Sequence, residues 1–440
     1  MKTIRHENAM NDKKFSKYVL RTDSIDGKYE LLYNTKNDYF LRVDKKDFKS
    51  IDLLLNNTKV SSFLKEKNFF DEDNEMAYIN DQQNNVITSQ TTMMLIIKLT
   101  RDCNFRCIYC YEDFSDDSIG EKEIEVISKF IKNEFEKKKI KRLIINWFGG
   151  EPTLNMWALE KLSKIIGKLC LKYGVVLISS ITTNGFLLDE KLFRKLLQLN
   201  IRSFQITIDG PKEVHDKQRI QKTGNTSYDI IKNNLIKIKE IQNEKFAVVL
   251  RTNASNRLLD NMQQFETEFL KNFIDTPNFF LDFQPILDYS SVTRLTDLDK
   301  ILDRIMEYTL KGYKFVDLRR HMSIYESACY AMKRNHYVID TKCNLSRCTV
   351  TDSEFSYIGK IDKDGKIIFN YNNDIWSNAR KSDSCDSCKR FAFCGGGICP
   401  LYYIKNKKPR CNRYNGNEEK VLKIMDLQAS YDLTLKKRYE

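Results

Sequence analysis

The sequence predicts an α/β chain organised on a parallel sheet, closed or partly closed, with a small α+β module before it and a cysteine-rich region after it. Three observations carry that reading. Between Met93 and Leu287, apolar runs of strand length alternate with longer runs of helical spacing, and repeated βα units build parallel sheets. Cys103, Cys107 and Cys110 fall in one loop directly after the first of these strands. Seven more cysteines stand between positions 343 and 411, a density far beyond chance.

Residues 1–90 read as a separate module. Segments 28–33 and 38–43 alternate and carry aromatics, which predicts a hairpin across 34–37. Segment 47–55 has helical spacing and stops at Asn56 and Asn57, and 60–67 is a second short helix. Residues 80–92 are polar and predict a linker.

The central region, 93–335, follows. Strands are predicted at 93–100, 142–147, 175–182, 203–208, 246–251 and 279–285. Helices are predicted at 121–137, 157–173, 189–199, 228–244 and 258–272, with 298–310 and 321–334 completing the region. In barrels of this kind chemistry gathers at the C-terminal ends of the strands, and the polar motifs fall there. Gly149, Gly150, Glu151 and Pro152 end one strand; glycines let backbone approach a ligand, and a carboxylate accepts from an ammonium. Thr182, Thr183, Asn184 and Gly185 end the next. Asp209, Gly210 and Pro211, with His215, Asp216 and Arg219, follow a third; Arg251, Asn253 and Gln284 end two more. His215 reads as a loop-fixing histidine. Cys170 and Cys329 read as apolar core residues.

The last region, 336–415, opens with Cys343-x4-Cys348. A hairpin turning at Asp364-Gly365 follows, then Cys385-x2-Cys388-x5-Cys394-x4-Cys399 and finally Cys411. Residues 416–440 read as a terminal helix. The glycines at 395–397 let backbone wrap a bulky group. Soft thiolates in such numbers point to zinc or to iron–sulfur clusters. Three thiols at 103–110 are one short of a closed site, and an open position is what a catalytic centre keeps.

Composition narrows the function. The 440 residues are 41% apolar, without a run long enough to span a membrane or a signal-peptide core at the start. The reading is a cytoplasmic chain, in which 12 cysteines point to metal rather than disulfides. The net charge of +13 comes mostly from scattered lysines, with no arginine-rich, aromatic-interleaved patch to favour nucleic acid.

The C-x3-C-x2-C loop, with Gly-Gly-Glu-Pro after the next strand, resembles the radical S-adenosylmethionine (radical SAM) superfamily, and the last cysteine set resembles its SPASM domain. The resemblance implies a partial (β/α)6 barrel. It implies that Cys103, Cys107 and Cys110 hold three irons of a [4Fe–4S] cluster whose fourth iron binds S-adenosylmethionine, which is cleaved reductively for hydrogen-atom abstraction. Gly149, Gly150, Glu151 and Pro152 would hold its amino group, Thr183 and Asn184 its ribose or carboxylate, Asp209 its ribose, and Arg219 a carboxylate. Tyr109 would lie near its adenine. By the same resemblance Cys385, Cys388, Cys394 and Cys411 ligate one auxiliary [4Fe–4S] cluster, and Cys343, Cys348 and Cys399 belong to another. Two departures stand out: Asn370 occupies the position of a family cysteine five residues after the hairpin glycine, and the last pair is spaced x4 rather than x3. The second auxiliary site is thus left three thiolates, which means an open iron, a ligand other than cysteine, or a cluster that is degraded or held by a neighbour, so the resemblance implies one or two auxiliary clusters.

The resemblance further implies a peptide or protein substrate, an electron donor such as a flavodoxin or ferredoxin, and an N-terminal module that grips a leader sequence. The first reading is a maturase of a ribosomally made peptide that installs a thioether or carbon–carbon crosslink. An anaerobic sulfatase-maturing enzyme is the alternative, and a non-catalytic peptide-binding protein a third reading from another class. No catalytic acid or base is identified from the sequence.

Overall fold

The computed structural model describes residues 14–46, 58–242, 244–288, 292–326, 329–350, 356–377, 385–397, 399–411 and 414–431. The helix expected at 47–55 lies outside them. The expected hairpin forms as β2 (Tyr29–Asn34) and β3 (Tyr39–Asp44), and an unforeseen strand, β1 (Val19–Asp23), extends it to a three-stranded antiparallel sheet. Val19, Leu32 and Val43 on the sheet pack with Leu64, Phe69 and Phe70, which anchors the short helix Thr58–Glu66. The other side of the sheet joins the main core through Leu20, Leu31, Tyr33 and Phe40.

The linker expected at 80–92 is corrected: Glu75–Thr88 is a helix. Its polar surface conceals two buried positions, Ile79 and Gln83. Ile79 packs with Tyr18, Ile324, Phe391 and Ala392. The Gln83 amide donates to the carbonyls of Phe391 (2.9 Å) and Ala392 (3.2 Å). Contacts far along the chain stabilise a helix whose own pattern is too polar to announce it.

Next come β4 (Thr92–Lys98), β5 (Phe105–Cys107), β6 (Arg142–Phe148), β7 (Val176–Thr183), β8 (Ser203–Thr207), β9 (Arg219–Gln221), β10 (Ala247–Ala254) and β11 (Phe279–Pro285). Six of them form a parallel series in the order β11-β10-β8-β7-β6-β4. Side chains alternate as the period of two requires: on β10, Val248, Leu250 and Ala254 are buried, while Arg251 and Asn253 stand on the opposite face. Helices Glu121–Lys137, Met156–Tyr173, Glu190–Gln198 and Tyr228–Lys239 connect the strands close to their expected places. The helix expected at 258–272 is broken into Asn256–Asp260, Met262–Glu268 and a short turn Leu270–Asn272. The break lies at Asn261, whose backbone leaves the helical region and whose side chain donates to the Arg257 carbonyl at 2.7 Å.

A short ladder, β12 (Leu287–Asp288) with β13 (Thr293–Arg294), precedes the helix Leu298–Leu310. The helix expected at 321–334 is also corrected: the described part holds only single turns, Leu318–His321, Ile324–Glu326 and Tyr330–Met332. Ser323 Oγ is engaged by Asp38 and accepts from Tyr325 N–H, and Tyr33 Oη donates to the Met322 carbonyl at 3.3 Å, so the segment is tied to the N-terminal hairpin rather than wound on itself.

The chain then returns to the main sheet. β14 (His336–Ile339) pairs in parallel with β4, and β15 (Asn344–Ser346), β16 (Tyr357–Ile361) and β17 (Ile367–Phe369) follow antiparallel, giving ten strands in one sheet. The cysteine-rich region is thus grown from the edge of the barrel. The terminal helix forms at Glu418–Tyr431 and packs on Leu298–Leu310 and β1. Among the described residues no helix is long and apolar enough to cross a membrane.

Candidate active site

The three-thiol loop is fixed by a ladder of its own. β5 pairs antiparallel with β9, placing Cys107 directly opposite Arg219, and Ile108 N–H extends the pairing to the Gln218 carbonyl at 3.0 Å. Arg106 Nη1 donates to the carbonyls of Cys103 (2.6 Å) and Phe105 (2.7 Å), closing the loop's start. The three thiols line a cavity of about 250 Å³ together with Tyr109, Gly149, Gly150, Glu151, Thr183, Asn184 and Arg219. Burial pushes the Cys103 thiol up to about 12, with the Glu151 charge adding to it. Burial also raises Cys107, against the pull of Arg219, and Cys110. Only a thiolate ligates a metal, so binding one here would release the thiol protons.

The two glycines have a specific steric reason. Gly150 N–H donates to the Thr100 carbonyl and Glu151 N–H to the Asp102 carbonyl, both at 2.9 Å, so the end of β6 lies backbone to backbone on the residues leading into Cys103. A Cβ at Gly149, whose φ is +143°, would stand 2.4 Å from the Thr100 oxygen, and one at Gly150 only 2.2 Å from the Asp102 oxygen. No side chain fits there. Asn155 completes the clamp, donating to the carbonyls of Leu99 (3.1 Å) and Ile119 (3.0 Å).

Glu151 is fully buried and held by protein donors. One carboxylate oxygen accepts from Thr153 N–H (3.1 Å), Thr153 Oγ1 (2.7 Å) and Thr183 Oγ1 (2.7 Å), the other from Asn184 N–H (2.7 Å). The carboxylate therefore bolts the end of β6 to the end of β7. Pro152 is buried and opens the turn Pro152–Asn155 outside the cavity lining.

Asp209 does not line the cavity either; it lies beneath Tyr109. Its carboxylate accepts from the Tyr109 hydroxyl and from Asn253 N–H (2.8 Å), with Arg219 at 3.8 Å. Arg219 Nη1 (2.7 Å) and Asn253 Nδ2 (3.0 Å) also donate to Tyr109 Oη. Behind this network Asp209 N–H donates to His215 Nδ1 at 3.2 Å, and His215 Nε2 meets Ser227 Oγ at 3.1 Å. Burial holds the imidazole well below its ordinary pKa, so His215 positions the loop as a neutral ring.

The donor set fits a cluster with a bound nucleoside. Three soft ligands and two close-packed glycine backbones share one cavity with hydroxyl and amide groups. Arg219, which lines that cavity, has its Nε buried without a partner. Among the described residues no three such side chains converge as a single ion would require; a four-iron cluster takes its thiolates around a cube rather than a point. Sequence reasoning missed Gln205 and Glu112 in the lining, and placed Thr207 at the strand end without assigning it a contact. Gln205 and Thr207 carried a usable signal, since they alternate with buried Phe204, Ile206 and Ile208. Glu112 had none: it is bound by Lys98 Nζ (2.9 and 2.8 Å), the buried cation at the end of β4.

The C-terminal cysteines divide by position. Cys385 packs against the small core around Tyr18, Ile79 and Phe391, and Cys394 is buried while Cys411 is exposed. Cys343 precedes β15 with Glu123 and Asp340 as its strongest charged neighbours, whereas Cys348 follows that strand. Cys329 packs against the main core as expected. Cys170 is buried in the helix Met156–Tyr173 as expected.

Fold and site together define an α/β-barrel enzyme with a thiol-bearing mouth. The chain contains a Radical SAM superfamily domain, whose family model matches residues 97–255. The chain thus carries the domain of radical SAM enzymes, and that family takes a [4Fe–4S] cluster and S-adenosylmethionine. A cysteine-type anaerobic sulfatase-maturating enzyme of Clostridium novyi (strain NT) is 25% identical over 358 residues, 74% of this chain and 91% of that protein. The structure of native anSMEcpe with bound AdoMet matches with a TM-score of 0.59 at 19% identity, over 79% of this chain and 98% of that one. Streptococcus suis SuiB bound to precursor peptide SuiA matches with a TM-score of 0.52 at 14% identity, over 91% of this chain and 99% of that one. At these identities the two structures bear on the fold alone.

Proposed function

We propose that the chain is a peptide maturase that abstracts a hydrogen atom from a side chain or Cα of a ribosomally made precursor and closes a thioether or carbon–carbon crosslink. The observation that carries this reading is the N-terminal module. It is built into the enzyme's core, and the structural likeness to SuiB extends over 91% of the chain, against 79% for anSMEcpe. Its strand β3 pairs only with β2 among the described residues, and an edge strand offers backbone groups to an added peptide strand.

Cys103, Cys107 and Cys110 would hold the cluster. The backbone at Gly149 and Gly150, Asn184 and Arg219 would hold S-adenosylmethionine. When bound, the pair supplies one-electron reductive cleavage and hydrogen-atom abstraction. The protein's part is positional: Glu151 joins two strand ends, the Tyr109–Asp209–Arg219 network presents a buried cation beside the thiols, and neutral His215 fixes the loop beneath. Reduction is assigned to a flavodoxin or ferredoxin.

The relative from Clostridium novyi favours a second reading, oxidation of a Ser or Cys to formylglycine. One experiment separates the two. The anaerobic, reduced enzyme is given a Cys-containing precursor peptide encoded beside its gene, and the product is analysed by mass spectrometry and a carbonyl-reactive hydrazide. Loss of two hydrogens with no hydrazide adduct supports the crosslink. A hydrazide-reactive product supports formylglycine and overturns the first reading.

A further inference from the structure

The C-terminal ends of β10 and β11 carry a charge arrangement that the cofactor site does not use. In the parallel register Arg251 stands opposite Asp282, and Asn253 opposite Gln284. The Asp282 side chain is only 4% exposed, so its charge needs partners. Arg251 Nη1 donates to one carboxylate oxygen at 3.2 Å. Arg320 Nη2 (3.1 Å) and Gln284 Nε2 (2.6 Å) donate to the other. Arg320 comes from the turn Leu318–His321, so two distant segments each bring a guanidinium to one buried carboxylate.

One arginine would neutralise Asp282; two leave an excess of positive charge among the described residues. Asp209, which accepts from Asn253 N–H beside them, does not absorb it, because Arg219 already stands 3.8 Å from that carboxylate. Neither guanidinium is saturated, since each has five N–H groups. Arg251 spends Nε on Asn253 Oδ1 (3.4 Å) and Nη1 on Asp282. Arg320 spends Nε on His321 Nε2 (3.1 Å) and Nη2 on Asp282. Arg251 Nη2 and Arg320 Nη1 have no protein partner among the described residues. Arg251 lines the cavity. Arg320 belongs to the segment that Tyr33 and Asp38 of the N-terminal hairpin hold at Met322 and Ser323. The pair thus joins the cavity wall to the segment tied to the N-terminal module.

We propose that Arg251 and Arg320 form a carboxylate-binding subsite that reads an Asp or Glu side chain, or the terminal carboxylate, of the peptide substrate. A guanidinium offers paired N–H donors that match a carboxylate, which a lysine cannot do. The cofactor's own carboxylate is assigned to Arg219, which leaves this second cation for the substrate. Asp282 and Gln284 set the positions of the two heads, and the surplus charge supplies the attraction. The inference rests on the reading of the chain as a peptide maturase and names a chemical group that its substrate carries.

The test uses the full-length chain, reconstituted anaerobically with iron and sulfide and supplied with S-adenosylmethionine. The probe is the fluorescein-labelled precursor peptide encoded beside the gene. Copies of it carry each Asp or Glu after the leader exchanged in turn for Asn or Gln, and one copy has an amidated C-terminus. Peptide affinity is read by fluorescence anisotropy for the wild type, Arg251→Gln and Arg320→Gln, and S-adenosylmethionine affinity by calorimetry. The proposal expects one neutralised copy to bind the wild type about tenfold to a hundredfold more weakly. Arg320→Gln should show a similar loss with the native peptide and no further loss with that copy. Equal affinity of every neutralised copy for the wild type would overturn the proposal. So would additive losses when that copy meets Arg320→Gln, or loss of S-adenosylmethionine affinity in place of peptide affinity in both variants. Failure of the native precursor to bind the wild type at all would overturn the peptide reading beneath it, and the subsite with it. The comparison of peptides on the wild type stands even if neither variant folds.

Discussion

Gly150 shows how much of the site is decided by single atoms. A methyl group there meets the Asp102 carbonyl, and backbone on both sides leaves nothing to yield. Gly150→Ala is expected to displace the segment entering Cys103 and to lower cluster iron by about four per chain. Gly224→Ala, where nothing lies within 4 Å, is the control for glycine loss in general. His215 gives a prediction in pH. Its folded pKa is depressed below the ordinary 6.5, so its contribution to stability is complete above that value. It is lost as pH falls, because the unfolded chain takes a proton that the buried ring refuses. Urea unfolding at pH 7 and pH 5 should show that loss, and His215→Gln should shrink it. At this scale the thiol loop and the paired glycines were legible because short-range chemistry demands them in sequence. The partners of Glu151 and Asp209 were not, because Thr183, Asn184 and Asn253 reach them only once separate strands lie side by side.

Among elements, the barrel helices and strands were readable from their periodicity, and the helix Glu121–Lys137 lies where its spacing put it. The helix Glu75–Thr88 was hidden because its stability comes from Phe391 and Ala392, about three hundred residues away. Strand β14 was hidden for the converse reason: four buried residues, His336, Tyr337, Val338 and Ile339, carry no alternation, and β4 supplies the edge they pair with. Gln83→Ala should cost about 1–3 kcal/mol by removing a buried amide that bridges two carbonyls. Hydrogen exchange should then quicken together in 75–88 and 391–394. Faster exchange in the helix alone would mean that it does not brace the cysteine-rich region.

The whole molecule is less divisible than its sequence suggests. The N-terminal sheet contributes Leu20, Leu31, Tyr33 and Phe40 to the main core, β14 shares the barrel's sheet, and Arg42 pairs with Asp426 of the terminal helix at 3.0 Å. A chain beginning at Thr92 would expose those surfaces; it is expected to unfold at lower temperature and to hold less iron than the full chain. Equal iron and equal melting would show the module to be a separable attachment. The central claim is that Cys103, Cys107 and Cys110 together make this a radical SAM enzyme. The direct measurement is 5′-deoxyadenosine formed from S-adenosylmethionine under anaerobic reduction, by the full-length chain and by Cys107→Ala. Formation by the first and its abolition in the second is the result predicted; undiminished formation by Cys107→Ala would contradict the account.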